Sequence, residues 1–527
     1  MESGEHVGPQ PGLSVGFGPV DDRGGWRAAR FLLVISFLEL VGFCGVQSNL
    51  MMYLTGHLGM STAAAAASVN AFTGTGMVLP LAGGLIADSW LGRYRAVFVA
   101  GVLYLLSLGM LTVSSTVRAP EPNAATSPYF AQLAFFYVAL YLLAAARGFH
   151  RPCAEALGAD QFATPSENED PSSRASRSSY FNWFHFAMSC GYGIATAGLS
   201  YVEDNVSWTV GFAACWATMM LYLAVFLLGT PTYRAERPVD GSRLAETVRA
   251  WVGRAFRRKE AADTERLLVL AGESDEDSKG KGLVAKLLPM WATSLIFATI
   301  LAQISTLFTK QGSTLDRRLG MGTGLVVPPA ALQFFLSITM IATVPVYDRL
   351  FVPLARRVTG HHAGLTTLRR IGAGMATAGV AMAVAALVEA RRLRVAREAG
   401  LVDKPGAALP MSLWWMLPQH VLIGVANVLA DIGLKEFFYD QVPDALRSVG
   451  LALCMSTFGV GNYASGALVS AINWATGSEG ESWFSDNLNR AHLDYFYWLL
   501  AGLAVLEVVV FLHLASRYTY RNKDEHI

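Results

Sequence analysis

Apolar residues along this chain gather into twelve long runs, near 28–54, 66–89, 94–116, 129–150, 178–201, 206–229, 283–309, 329–351, 366–390, 411–438, 447–473 and 493–516. Each approaches the roughly 20 apolar residues that a helix needs to cross a bilayer. The pattern predicts an all-α integral membrane protein of about twelve transmembrane helices. The longest polar interruption, from about Pro231 to Lys281, carries Arg254, Arg257, Arg258 and Lys259 and then Glu273, Asp275, Glu276 and Asp277. It divides the chain into a disordered cytosolic tail over 1–26, an N-terminal six-helix bundle over 27–230, a cytosolic linker over 231–281, a C-terminal six-helix bundle over 282–518 and a second tail over 519–527.

Composition agrees with lipid as part of the solvent: 53% hydrophobic and 15% charged residues, with a mean hydropathy of +0.37, are wrong for a soluble chain of this length. A net charge of +1, with no basic stripe, leaves nucleic-acid binding without support. Cys44, Cys153, Cys190, Cys215 and Cys454 lie in or beside apolar runs, where a thiol behaves as a small hydrophobe. The first 25 residues are polar and Gly/Pro-rich and read as a tail without a cleaved leader.

Basic residues set the orientation. Arg93 and Arg95, Arg174 and Arg177, the central linker, Arg356 and Arg357, Arg369 and Arg370, and Arg517 and Arg521 share one side, expected to be cytosolic together with both termini. Arg391, Arg392, Arg394 and Arg397 conflict with this unless the ninth helix continues through them.

Ionisable residues within the runs carry most information, because a charge in hydrocarbon is costly and faces a cavity or a partner. Glu39, Arg151 and Glu436 stand out. Pro80, Pro152, Pro289, Pro345 and Pro418 suggest helices bent around a central cavity. His150 and His185 sit near predicted helix ends without metal-ligand spacing and read as packing residues. No metal-binding HExxH, P-loop or GxSxG nucleophile elbow stands out, which speaks against an enzyme. The sequon Asn205-Val206-Ser207 lies too close to two helices for easy modification and reads as a chance match.

Between the second and third runs, GGLIADSWLGRYRAV from Gly83 to Val97 places Asp88, Gly92, Arg93 and Arg95 in a tight turn. This resembles the signature loop of the major facilitator superfamily, in which an acid at a helix end can lock one conformation through neighbouring basic groups. HRPCAEALGADQF at His150–Phe162, YFNWFHFAMSCG at Tyr180–Gly191, QGSTLDR at Gln311–Arg317, PVYDRLFVPLARRVTG at Pro345–Gly360 and KEFFYDQVPDALRS at Lys435–Ser448 follow in order. Together they resemble the plant nitrate and peptide transporter family of the proton-dependent oligopeptide transporter lineage. The resemblance implies a major facilitator fold: two six-helix bundles rocking around a midplane site, with transport commonly proton-coupled.

Carried over by position, the resemblance implies a basic residue at Arg151, normally Lys in relatives, facing an acid at Glu436 across the cavity. Both are assigned to substrate binding and gating, with Phe43 and Gln303 as further substrate-binding positions, Glu39 as the proton-coupling carboxylate, and Asp88 and Arg93 as gating residues. An anionic substrate competing for Arg151 would bias the gate. The alternative for the pair is a permanent structural salt bridge.

Several positions depart from the family pattern. The first-helix E-x-x-E-R cluster reads Ser36-Phe37-Leu38-Glu39-Leu40, so only one carboxylate survives and Glu39 is either the proton carrier or a neutral structural hydrogen-bonding group. Ser189 replaces a usual Asn, Phe43 and Cys44 replace a frequent Tyr pair, and Leu301 stands where nitrate-transporting members carry histidine. These substitutions weaken both a dipeptide and a nitrate reading. The expected function is transport of a small anionic or zwitterionic solute by alternating access, with protons as the one coupling ion and no other cofactor. An uncoupled facilitator or exchanger, or a non-transporting sensor, are the alternatives. Expected partners are the solute and the lipid of a plasma or vacuolar membrane, with a monomer or weak homodimer as the assembly.

Overall fold

The computed structural model describes residues 23–117, 127–162, 171–234, 287–319, 324–347, 366–441, 447–477 and 482–518. Nearly all of the linker and both tails lie outside the described residues. The N-terminal part contains α1 (Gly25–Met52), α2 (Thr62–Ile86), α3 (Arg93–Thr116), α4 (Ser127–Asp160), α5 (Pro171–Gly193), the short α6 (Ser200–Asn205) and α7 (Trp208–Gly229). The C-terminal part contains α8 (Leu295–Leu301), α9 (Leu307–Ser313), α10 (Gln333–Val346), α11 (Thr367–Glu398), α12 (Leu417–Asp440), α13 (Arg447–Gly477) and α14 (Leu493–Arg517). Among the described residues, seven helical stretches are long and apolar enough to cross a membrane: Gly25–His57, Thr62–Ile86, Arg93–Thr116, Ala131–Asp160, Trp208–Thr232, Thr367–Glu398 and Leu493–Arg517. The other five predicted runs are also helical but broken, shorter or less apolar.

Local chemistry explains the boundaries. Ser61 caps α2 by accepting from the Ala64 amide at 3.3 Å, and the alanine run behind it favours helix. The turn before α3 needs glycine, since Gly92 has φ 77°. π-Helical turns interrupt the ladders at Tyr53–His57 after α1, Ala87–Leu91 after α2, and Ile194–Leu199 between α5 and α6. Such turns recur where helices bend at functional places. The helical run Leu287–Leu301 and α9 are parted by non-helical residues 302–306.

Two boundaries correct the sequence reading. Helix α4 does not stop near residue 150 but continues through Pro152 to Asp160, which puts His150 and Arg151 inside a helix. Helix α11 continues to Glu398 and contains all four disputed arginines. Arg392 is fully buried and bonds Glu389 through Nε at 2.8 Å and Nη2 at 2.6 Å, with Asn489 Oδ1 at 2.8 Å. Gln311 adds a 2.7 Å bond to Glu389. Arg391 lies 4.1 Å over the Trp415 ring. Two of the four conflicting charges, Arg391 and Arg392, are therefore satisfied locally. The tenth predicted run also shortens, because residues 409–412 form a strand paired in parallel with Leu315–Asp316 and 413–416 a 3-10 turn.

Helices approach closely where side chains are small. A Cβ on Gly83 of α2 would stand 2.1 Å from the Gly148 carbonyl oxygen of α4, and one on Gly374 of α11 would stand 2.5 Å from the Ala430 amide of α12. The two halves meet mainly through α2 and α13, antiparallel, with Asn70 donating to Ser465 at 3.0 Å. Gly25, Asp160, Asp440 and Arg517 lie toward one face, termed the terminus-side face, and His57, Asn205, Ser313 and Glu398 toward the far face.

Candidate functional site

The polar groups of the N-terminal bundle converge at mid-depth. Glu39 of α1 is 2% exposed and accepts a 2.6 Å hydrogen bond from the Tyr104 hydroxyl of α3. Arg147 of α4 lies 3.8 Å from the same carboxylate oxygen, and its guanidinium stacks 3.8 Å over the Phe43 ring. One helical turn beyond Glu39, Phe43 lies on the same face of α1 and orients that cation. Behind the cluster, His150 Nδ1 and the Tyr222 hydroxyl are 2.9 Å apart.

Arg147 was not among the residues singled out in the sequence, and it changes the meaning of Glu39. The arginine missing from the first helix is replaced in space by one from the fourth. Glu39 thus has a cationic neighbour and accepts a hydrogen bond from Tyr104. An arginine inside an apolar run was the available signal. Its partner, about a hundred residues away, was not visible.

Arg151 follows Arg147 by one turn and is only partly buried. Among the described residues it makes neither a hydrogen bond nor an ion pair. The expected Arg151–Glu436 pair is not formed: Glu436 bonds instead to Arg370 at 3.2 Å and Thr367 at 3.3 Å, both from its own bundle. Gln303, in the break between α8 and α9, is fully buried. It donates to Ser465 and to the Thr299 carbonyl at 2.9 Å each, so in this conformation it joins helices. Arg93 pairs with Asp160 at 2.5 Å across the α3 and α4 ends. The side chain of Asp88 lies outside the described residues.

The parting of Arg151 and Glu436 has a structural setting. Hydrogen bonds and ion pairs traced between the bundles lie at mid-depth or toward the far face. Tyr192 donates to Gln333 at 3.0 Å and Thr75 and Tyr463 are 2.7 Å apart. Farther out, Lys310 donates to Thr55 at 3.0 Å, the Thr62 amide to Asp486 at 2.7 Å and Asn205 to the Val326 carbonyl at 3.2 Å, while Arg317 pairs with Asp204. The bonds traced among the described residues thus clasp the far side. Arg317 ends the QGSTLDR motif, whose role the sequence did not reveal, and the Asn205 amide is engaged in the clasp rather than free as a sequon.

Comparison with known proteins places this architecture. The family model described as "POT family" matches residues 94–484. The chain is 42% identical over 541 residues to Protein NRT1/ PTR FAMILY 5.16 of Arabidopsis thaliana, covering 95% of this chain and 94% of that protein. It also superposes on solved structures. An auto-inhibited POT family peptide transporter gives a TM-score of 0.73 at 20% identity, covering 95% of this chain and 99% of that one. A peptide transporter POT in complex with sulfate gives 0.69 at 16%, covering 94% and 96%.

Proposed function

Because the chain belongs to the POT family, alongside the NRT1/PTR proteins, and is thus a multi-pass membrane transporter rather than an enzyme, we propose that it carries a small anionic or zwitterionic solute by alternating access, coupled to protons. One observation carries the solute class: Arg147 and Arg151 stand one turn apart on α4, and of the two only Arg147 has an ion pair among the described residues, with Glu39. That leaves one guanidinium for a ligand, and an arginine fork is well matched to a carboxylate or oxyanion. The sulfate held by one solved neighbour is in keeping with such chemistry.

With the basic side cytosolic, the far-face clasp and the separated Arg151 and Glu436 read as an inward-open carrier. On closing, Glu436 would exchange Arg370 for Arg151 or for the bound solute. Glu39, held between Tyr104 and Arg147, is the candidate proton carrier near this site. The test is uptake of nitrate, dipeptides and plant hormone acids by surface-expressed protein at acid and at neutral external pH, beside Arg151→Ala and Glu436→Ala. An anionic solute should enter faster at acid pH and lose about tenfold or more in Arg151→Ala, since charge-assisted hydrogen bonds contribute about 1.5–3 kcal/mol. Uptake that ignores Arg151→Ala would sink the anion assignment. Uptake indifferent to pH would leave an uncoupled facilitator.

A further inference from the structure

One buried carboxylate stands outside the site described so far. Glu203 lies in α6, in the connection between the fifth and sixth predicted runs, and is 2% exposed. Its Oε2 accepts from Asn49 Nδ2 of α1 at 3.2 Å. Its Oε1 is buried without a hydrogen-bond partner, and so is Asn49 Oδ1. From α7 it meets Gly211, where a Cβ would stand 2.2 Å from Glu203 Cγ, and Cys215 is the titratable group on that side. On its own helix the titratable neighbour is Asp204, whose charge is taken up by Arg317 of the other bundle. Among the described residues no cation pairs with Glu203.

Both orphan atoms are acceptors, so what the seam between α1 and α6 lacks is a hydrogen to donate. One proton on Glu203 Oε1 supplies it and gives the two side chains matching donors and acceptors. Burial pushes the Glu203 carboxyl well above the ordinary carboxylate range, against the opposing hydrogen bond from Asn49 and with a contribution from Asp204. The position also matters. Helix α6 is tied to α1 by Ser200 and Ser48, 3.1 Å apart, and to the C-terminal bundle by Asp204–Arg317 and Asn205–Val326. Opening the far side must break the last two and let water reach the α1–α6 seam.

We propose that Glu203 is a proton-binding site of the far-face connection, separate from Glu39, whose loading permits the far side of the carrier to close. The proton comes from the far-side solution and converts the carboxylate to a neutral acid; no other bond changes. Closing with Glu203 ionised would bury a charge without a counterion. This rests on reading the chain as a carrier that alternates access, but its test needs no knowledge of the solute.

In full-length protein in sealed vesicles without solute, Thr55→Cys with Lys310→Cys, joined by a short bifunctional thiol reagent that spans the removed lysine side chain, reports far-side closure, because the native side chains meet at 3.0 Å. Cross-link yield is read as a ratio to the same pair carrying Glu203→Gln at the same far-side pH, which removes the pH dependence of the thiol chemistry. The expected ratio is near one at acid pH and falls severalfold as pH rises, with Glu203→Asp keeping the response. A ratio constant across pH overturns the proposal. Absence of transport in the uptake assay would leave this ratio readable, so the two readings fail separately.

Discussion

Glu39 stood out in the sequence because a carboxylate in the middle of an apolar run demands an explanation. Its environment did not, because the sequence shows only chain neighbours, and here they are Ser36 and Leu40. Ser36 merely donates to the Leu32 carbonyl at 2.8 Å. The groups that matter, Tyr104 and Arg147, come from α3 and α4. The pair is buried, so removing one partner strands the other in a medium that solvates charge poorly, at a cost of about 3–5 kcal/mol. Arg147→Ala should therefore lower the thermal unfolding midpoint of the purified protein markedly, and adding Glu39→Gln should recover most of the loss. If single and double variants unfold at the same temperature, Arg147 and Glu39 are not coupled. Phe43 was assigned to substrate binding, and in this conformation it is 1% exposed beneath the Arg147 guanidinium, a position from which it orients that cation.

At the scale of elements, apolar length located the long helices among the described residues but misplaced those ends that polar residues extend. Arg392 looks like a stop signal in one dimension. In the fold it is neutralised by Glu389 three residues earlier and donates a hydrogen bond to Asn489 from the segment before α14. The α2–α4 crossing is likewise set by residues that hydropathy ignores. Gly83 faces the Gly148 backbone at a distance no Cβ could occupy, whereas a Cβ on the adjacent Gly84 would sit in ordinary contact, 3.5 Å from Pro152. Gly83→Ala should cost about 1–3 kcal/mol through overpacking. Because α4 carries Arg147 and Arg151, it should also reduce transport. Gly84→Ala should be neutral or stabilise by up to about 1 kcal/mol, since alanine is the better helix former. Equal unfolding midpoints for the two variants would show that the crossing tolerates separation and that the glycine contact does not set it.

At the scale of the molecule, the motifs were sufficient for the family and fold, yet they could not indicate which side of the carrier is closed. One sequence must encode both states, so its pairs are exchangeable by construction: Glu436 has Arg370 here, and Arg151 awaits a partner. What selects the state in hand is the set of far-face contacts, of which Asp204–Arg317 is the one ion pair traced between bundles among the described residues. Its side chains are 12% and 25% exposed, so its worth should lie near that of a partly solvated pair, about 1 kcal/mol, and losing it should change the ratio of far-open to far-closed molecules by about fivefold. Spin labels at Val206→Cys on the N-terminal bundle and Lys404→Cys on the C-terminal bundle, both exposed on that face, would read this as growth of a longer-distance population in Asp204→Asn and in Arg317→Gln. Exchanging the two charges, Asp204→Arg with Arg317→Asp, should return the distribution toward the parent, because the attraction does not depend on which bundle supplies the cation. Distributions that match the parent in both single variants would move the hold on the far side to the hydrogen bonds at Thr55, Thr62 and Asn205.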